Sequence, residues 1–268
     1  MKRILSLFVV SVLVFGLTSL SLAQEKIVLS GTGDSQDLFR VMALAFEKAN
    51  PGVKVEIPDA IGTNGGIKAT AEGRCDLGRT ARALNDNEKQ YNLNYRVFAN
   101  SPVVFALNPG VKGVSNITSE QIVGIFSGKI TSWSELGGEN KKIYMVQREK
   151  GDSCRGILEN NIPGWKEIKQ FPGEEIFTTP EAVAIVARYA GTIGYLPLSM
   201  VKSTNLIMIK VDGVYPSLDN VINGSYKLLI PLGLVWKGEL KGTAKNFVDF
   251  IFSPAGKEII MENGGFPA

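Results

Sequence analysis

Histidine does not occur among the 268 residues. That absence excludes Ser-His-Asp and Cys-His catalysis, His-ligated zinc and His-ligated haem. Cysteine occurs only twice, too rarely for a disulfide-stapled miniprotein. There is no run of five like charges, no internal repeat and no low-complexity linker. With 44% hydrophobic and 21% charged residues, the chain is neither disordered nor collagen-like. Its length suits one large domain or two lobes of roughly 100 to 150 residues each. Enzymes built on carboxylates or lysine survive these exclusions, but the balance moves towards binding.

The amino terminus reads as an address. Lys2 and Arg3 precede an apolar run from Ile4 to Leu17, and Ser21-Leu22-Ala23 supplies small residues ahead of Gln24. This is a secretory signal over residues 1–23 with a cut after Ala23. A membrane anchor is the alternative, yet the segment gives at most about 20 residues and is interrupted by Ser and Gly. No Cys stands at the cut to carry a lipid, so a soluble periplasmic protein is expected. Removing Lys2 and Arg3 leaves 27 basic against 26 acidic residues, a net charge of +1. Such a chain has no electrostatic reason to bind nucleic acid or acidic membrane.

Strand patterns alternate with helix patterns along the mature chain, as in α/β layer folds with parallel strands. Lys26 to Leu29 reads as a strand and exits through Ser30-Gly31-Thr32-Gly33-Asp34-Ser35. Leu38, Met42, Ala45 and Ala49 mark one face of the following helix, which Asn50-Pro51-Gly52 stops. Val53 to Ile57 alternates as a second strand, and Gly62 to Gly66 opens a helix ending at Gly73. Cys75 to Gly78 is a third short strand. Val97 to Leu107 and Thr192 to Tyr195 are apolar enough to cross between lobes. Thr118-Ser119-Glu120-Gln121 is a capping box opening a helix through Phe126. Ile143 to Val146 is a strand with the polar exit loop Gln147 to Ser153. Thr179-Pro180-Glu181 starts a further helix. Tyr226 to Trp236 is another strand, and helices begin near Thr243 and at Ser253-Pro254.

Three strand exits share one design, in which Gly and small hydroxyl residues lead into a helix start: Gly31 to Ser35, Gly62 to Gly66 and Gly151 to Arg155. Glycine lets backbone approach a ligand, and helix starts offer unpaired N–H groups to an anion. In open α/β sheets ligands sit outside the carboxyl ends of strands, where these loops lie. With Arg79, Arg82, Arg148 and Arg155 nearby in sequence, an anion site is expected. None of the loops is a Walker A, and Gly31-Thr32-Gly33 lacks the rest of a dinucleotide fingerprint, so nucleotide binding is disfavoured.

Ser30 to Gly33, Ala45 to Lys48, the run Ile125 to Gly138 around Trp133, Gly191 to Tyr195, Val211 to Gly213 and Phe250 to Gly256 follow one another along nearly the whole mature chain. On these segments the chain resembles the phosphate-type periplasmic substrate-binding proteins of ABC transporters. It implies a bilobal α/β fold of the type II periplasmic-binding-protein kind, with two lobes joined by two crossing segments around a dry ligand. Lobe 1 is expected over 24–108 and 197–268, and lobe 2 over 109–196. The resemblance assigns the first ligand loop to Gly31, Thr32, Gly33 and Asp34, and the second to Gly62, Thr63, Asn64 and Gly65. It gives the acceptor carboxylate to Asp76 and arginines to Arg82 and Arg148. The last loop falls on Gly151, Asp152, Ser153, Cys154 and Arg155.

This chain departs from that pattern in placing Asp34, Asp152 and Cys154 where the family has hydroxyl donors. An ionised carboxylate only accepts hydrogen bonds, and at roughly 4 Å a like-charge contact costs about 4 kcal/mol at an effective dielectric constant near 20. Three readings stay open: the acids cap their helices, they orient the arginines, or the ligand is a more protonated oxyanion, an organic phosphate or a molecule with a positive end. Capping or orienting is the preferred one. Asp76 either takes the proton of a monohydrogen oxyanion or caps a loop. Arg79 reads as a solvated surface residue, and Trp133 and Tyr195 as packing residues. The resemblance puts Cys75 and Cys154 on opposite lobes beside the cleft. A disulfide there needs Cα atoms within about 7 Å, and Cys75 would point away from a ligand-facing Asp76.

The expected function is a binding receptor, not an enzyme, that captures phosphate or a related oxyanion and delivers it to an ABC permease. It would work as a monomer without cofactor or bound metal. Two alternatives remain: an exported phosphoester hydrolase with Asp34, Asp76 and Asp152 as metal ligands, and a receptor that feeds a sensor protein.

Overall fold

A computed structural model describes residues 24–268; the expected signal segment 1–23 lies outside the described residues. Strand β1 (Glu25–Gly31) ends in a short 3-10 turn, Gly33–Ser35, that runs into helix α1 (Gln36–Ala49). Then come β2 (Val53–Glu56), α2 (Gly62–Ala71), β3 (Leu77–Thr80), α3 (Asp86–Lys89) and the long β4 (Leu93–Leu107). Beyond it lie β5 (Asn116–Ile117), α4 (Ser119–Phe126), β6 (Tyr144–Arg148), α5 (Ser153–Asn161), β7 (Glu175–Ile176), α6 (Thr179–Arg188) and β8 (Thr192–Pro197). The chain continues through α7 (Leu198–Val201), β9 (Ile207–Met208), β10 (Lys210–Val211) and α8 (Leu218–Ile222). It finishes with β11 (Leu229–Lys237), α9 (Gly242–Phe252), α10 (Pro254–Glu262) and β12 (Phe266–Pro267).

Eight of the strands form one continuous path, β2-β1-β3-β11-β4-β8-β6-β7, with β9 and β12 added to β4, while β5 and β10 make a separate two-stranded sheet. β1 pairs parallel with β2 and β3, and β6 pairs parallel with β7 and β8, while β11 and β4 run antiparallel to their neighbours. β4 serves both halves of the molecule. Its residues 93–102 pair with β11, and Val103 to Leu107 pair with β8. The expected α/β fold with a strand crossing between lobes is therefore present, with a mixed sheet in place of a purely parallel one.

Apolar spacing explains the first lobe. Leu38, Phe39, Met42 and Phe46 fall on one face of α1 and are buried. Phe39 meets Phe98 of β4 edge-on with ring centres 5.0 Å apart, and Phe46 meets Phe247 of α9 at 5.1 Å. Each such side chain contributes about 1.5–3 kcal/mol by leaving water. In the second lobe Phe126, Trp165 and Tyr195 pack on one another with ring centres 5.1 to 5.5 Å apart. The capping box at Thr118 and Gln121 starts α4 as expected. Trp133 is buried, and its indole N–H donates to the Gly191 carbonyl at 3.0 Å.

The stretch after β8 does not all return to the first lobe. α7 does, and the Ser199 hydroxyl donates to the Asp34 carbonyl at 2.6 Å while its N–H reaches Ser101 Oγ at 3.0 Å. β9 then pairs with Ala106 and Leu107, and β10 pairs with β5. Tyr226 donates its hydroxyl to the Val103 carbonyl at 2.7 Å. This excursion buries Ile209 and Val211 against the end of β4 and β5. Cys75 and Cys154 are both free and buried, Cys75 with its sulfur 3.4 Å from Thr70 Oγ1.

Candidate functional site

A cavity of about 320 Å³ opens between the two lobes where four helical starts converge: the 3-10 turn at Gly33, α2 at Gly62, α5 at Ser153 and α6 at Thr179. Two glycines make the first-lobe wall possible. Gly31 has φ +140°, and a Cβ there would run into the Arg79 carbonyl of β3. Gly66 brings α2 against β1 so closely that a Cβ would lie 2.6 Å from the Gly31 Cα. The N-cap of α2 is Ile61, which offers no side-chain acceptor. The first N–H groups of α2 therefore keep their hydrogen-bonding capacity at the positive end of the helix, beside the cavity that Gly62, Thr63 and Asn64 line. Thr63 is fixed because its Oγ1 accepts the Ala81 N–H at 3.1 Å.

Arg148, at the end of β6, is the buried cation of the cavity, with 4% of its side chain exposed. Its Nη1 donates to Thr179 Oγ1 at 3.0 Å, and that hydroxyl donates to Asp34 Oδ1 at 2.6 Å. Asp34 Oδ2 also accepts from Thr32 Oγ1 at 3.0 Å, so the first ligand loop is tied to α6 of the other lobe. Arg148 Nε donates to the Ile176 carbonyl at 2.8 Å, and Nη2 meets Asp152 Oδ2 at 3.0 Å. Glu149 lies 3.2 Å from Nε. Nη1 carries two hydrogens and Thr179 engages one, which leaves a donor for a ligand.

Asp152 caps α5, its Oδ1 accepting the Arg155 N–H at 2.9 Å. It both caps its helix and holds Arg148, the role preferred from the sequence. Burial pushes its carboxyl up to about 7; Arg148 opposes the rise, and Asp34 and Glu149 add to it. Burial alone would lower Arg148, but Asp152, Asp34 and Glu149 together hold the guanidinium above its usual value. The arginine's charge is the firmer of the two, since guanidinium stays protonated while a single cation is shared by three acids.

A sequence profile of the PBP superfamily domain matches residues 18–255. The chain belongs to the PBP superfamily. Among curated relatives, the phosphate-binding protein PstS of Bacillus subtilis is 28% identical over 251 residues, covering 91% of this chain and 81% of that protein. The phosphate-binding protein PstS of Borreliella burgdorferi is 27% identical, covering 90% and 89%. Among solved structures, a phosphate ABC transporter substrate-binding protein with bound phosphate from Clostridium perfringens is 30% identical with a TM-score of 0.80. That alignment covers 91% of this chain and all of the other.

Within this PBP-superfamily cavity the structure gathers Thr32, Gly33, Thr63, Asn64, Arg148, Asp152 and Ser153 on the lining, with Gly31 and Asp34 directly behind it. Other expected residues lie elsewhere. Asp76 is exposed and precedes β3 at the far end from the cavity, where its Oδ2 accepts the Val28 N–H at 2.7 Å. It closes a backbone register and corrects the expectation of a ligand acceptor. Arg82 does not line the cavity; both of its terminal nitrogens hold Glu88 at 2.7 Å, and it reaches Asn64 Oδ1. Arg155 turns back to the Arg148 carbonyl at 2.8 Å and to Glu159 at 3.0 Å. Cys154 faces the core, fully buried, and its thiol is raised by burial.

Arg79 reverses its expectation, because β3 is an inner strand and every residue of it is buried. Its Nη2 donates to the Pro58 carbonyl at 3.1 Å, its Nε and Nη1 have no protein partner, and burial lowers it to about 10. Sequence reasoning missed Glu149, Lys150, Phe177, Thr178 and Thr179 on the lining. The Thr-Thr-Pro helix start was the available signal: Thr178 is the true N-cap, which frees Thr179 for Arg148 and Asp34. Among the described residues no group of three or more His, Cys, Asp or Glu is placed to hold a metal ion. The hydrolase reading needed Asp34, Asp76 and Asp152 together, and the first and last are separated from Asp76.

Proposed function

We propose that the protein is an exported receptor that captures phosphate between its lobes and delivers it to the membrane permease of an ABC importer. The observation that carries this reading is the uncapped start of α2 and the buried Arg148 facing one cavity from opposite walls. Amide N–H groups and a guanidinium in a site shielded from water bind oxyanions strongly and require no bond making. The phosphate-binding names of the relatives support the same ligand. Among the described residues no helix is long and apolar enough to cross a membrane. Residues 1–23 would direct export to the periplasm.

Binding selects shapes in which the lobes meet, and the motion would be a hinge through the shared strand β4 and the link from β8 to α7. Calorimetry of the purified chain with inorganic phosphate tests the reading. One phosphate bound per chain, with a raised melting temperature, is expected. No heat and no thermal shift at millimolar phosphate would refute it.

A further inference from the structure

Three carboxyl groups crowd one guanidinium at the floor of the cavity. Asp152 lies 3.0 Å from Arg148 Nη2, Glu149 lies 3.2 Å from Nε, and Asp34 reaches Arg148 through the Thr179 hydroxyl. Lys150 is the other cation on the lining. With all three acids ionised, the cluster would be net negative and would repel an entering oxyanion. One proton on an acid removes the excess.

The geometry selects Asp152 for that proton. Glu149 keeps 25% of its side chain in solvent. Asp34 already has both carboxyl oxygens occupied, by hydroxyl donors at 2.6 and 3.0 Å. Asp152 is 4% exposed, lines the cavity, and has its Oδ2 engaged only by Arg148. The groups around it are Arg148 and Glu149 from β6 and its exit, Asp34 from the turn after β1, and Arg155 and Cys154 from α5. Tyr195 completes the set from β8, its hydroxyl accepting the Arg148 N–H at 2.8 Å. Burial, Asp34 and Glu149 all favour the protonated form, and Arg148 opposes it.

We propose that Asp152 takes a proton from solvent as the oxyanion enters and donates it in a hydrogen bond to a ligand oxygen, setting both affinity and its pH dependence. This rests on the receptor reading above. No bond of the ligand breaks; the proton comes from bulk buffer and stays on Oδ2. Arg148 Nη2, relieved of a charged partner, turns an N–H to the ligand. Oδ1 keeps the Arg155 N–H, so α5 stays capped. A hydroxyl residue here would donate at every pH, whereas an aspartic acid donates only while protonated.

The test is isothermal titration calorimetry with inorganic phosphate from pH 6 to 9, in buffers of differing ionisation enthalpy, on the native chain, Asp152→Asn and Asp152→Ser. The native chain should take up close to one proton more than either variant at pH 8. Its affinity relative to the variants should fall by up to tenfold per pH unit above neutrality. Equal proton counts and parallel pH profiles in native and variant proteins would overturn the inference while leaving the receptor intact. Absence of phosphate binding by the native chain at every pH would overturn the receptor reading and this inference with it. Where one variant does not fold, the other carries the comparison.

Discussion

On one side of the cavity stand Thr32, Gly33, Gly62, Thr63 and Asn64, none of them ionisable; on the other, four of the nine lining residues, Arg148, Glu149, Lys150 and Asp152, are ionisable. The first wall is made of amide and hydroxyl dipoles held by a sheet that buries Gly31 and Gly66 against each other. Dipoles fixed in this way respond to shape and do not titrate. The second wall supplies Coulomb attraction, and with it sensitivity to pH and the stronger response to salt. The lobes therefore contribute separable properties to one ligand: geometry from the first, charge state from the second.

The strongest blow to the charged wall is Arg148→Ala. It removes the buried cation and strands Asp152 and Asp34, and phosphate affinity should fall by about 2 kcal/mol or more, roughly 30-fold, in a calorimetric titration. Unchanged affinity would move the attraction to Lys150 or to the amides alone.

Next in size is an effect of pH on folding. Asp152 binds its proton more tightly in the folded chain than in the unfolded one, because its carboxyl rises from 3.8 to about 7. Between those values the folded state carries more protons, so its contribution is full in acid and is lost as pH rises through about 7. In urea denaturation the native chain should lose stability relative to Asp152→Asn between about pH 4 and 7, by on the order of 1–2 kcal/mol. Parallel stability curves would show that Arg148 fully compensates the buried charge.

The dipolar wall is probed by Ile61→Ser, which places a capping hydroxyl where α2 has none. The cap should stabilise the fold by about 1 kcal/mol and weaken phosphate by a similar amount, because hydroxyl and ligand compete for the same N–H groups. A rise in stability with affinity unchanged would remove α2 from the site. Smallest is Arg82→Ala, which frees Asn64 without touching the cavity. A loss of under about 1 kcal/mol in affinity is expected, and a loss equal to that of Arg148→Ala would make Arg82 a direct contact.

The same two walls differ in how far the residues announced them. Gly31-Thr32-Gly33 and Gly62-Thr63-Asn64 follow strand patterns closely enough that strand, turn and helix start could be placed by periodicity and glycine alone. Asp76 failed because spacing along a chain does not say which end of a strand faces the ligand. β3 runs from Asp76 towards the cavity, so the carboxylate sits at the opposite end, where it accepts the Val28 N–H. Arg79 failed because burial of an arginine depends on strand order, and only the sheet makes β3 an inner strand. The roles of Asp34 and Asp152 were foreseen as a choice between capping and orienting, and Asp152 performs both. Thr179 stayed hidden because its partners lie 31 and 145 residues away.

Ser101 and Ser199, both buried where β4 and the β8–α7 link pass between the lobes, join those two segments, and Ser199 also holds the Asp34 carbonyl. This junction is a neutral bearing. Its bonds join hydroxyl, amide and carbonyl groups, none of them ionic, so rising salt that screens the pull between Arg148 and its guest would slow capture without loosening the axis on which the two halves swing.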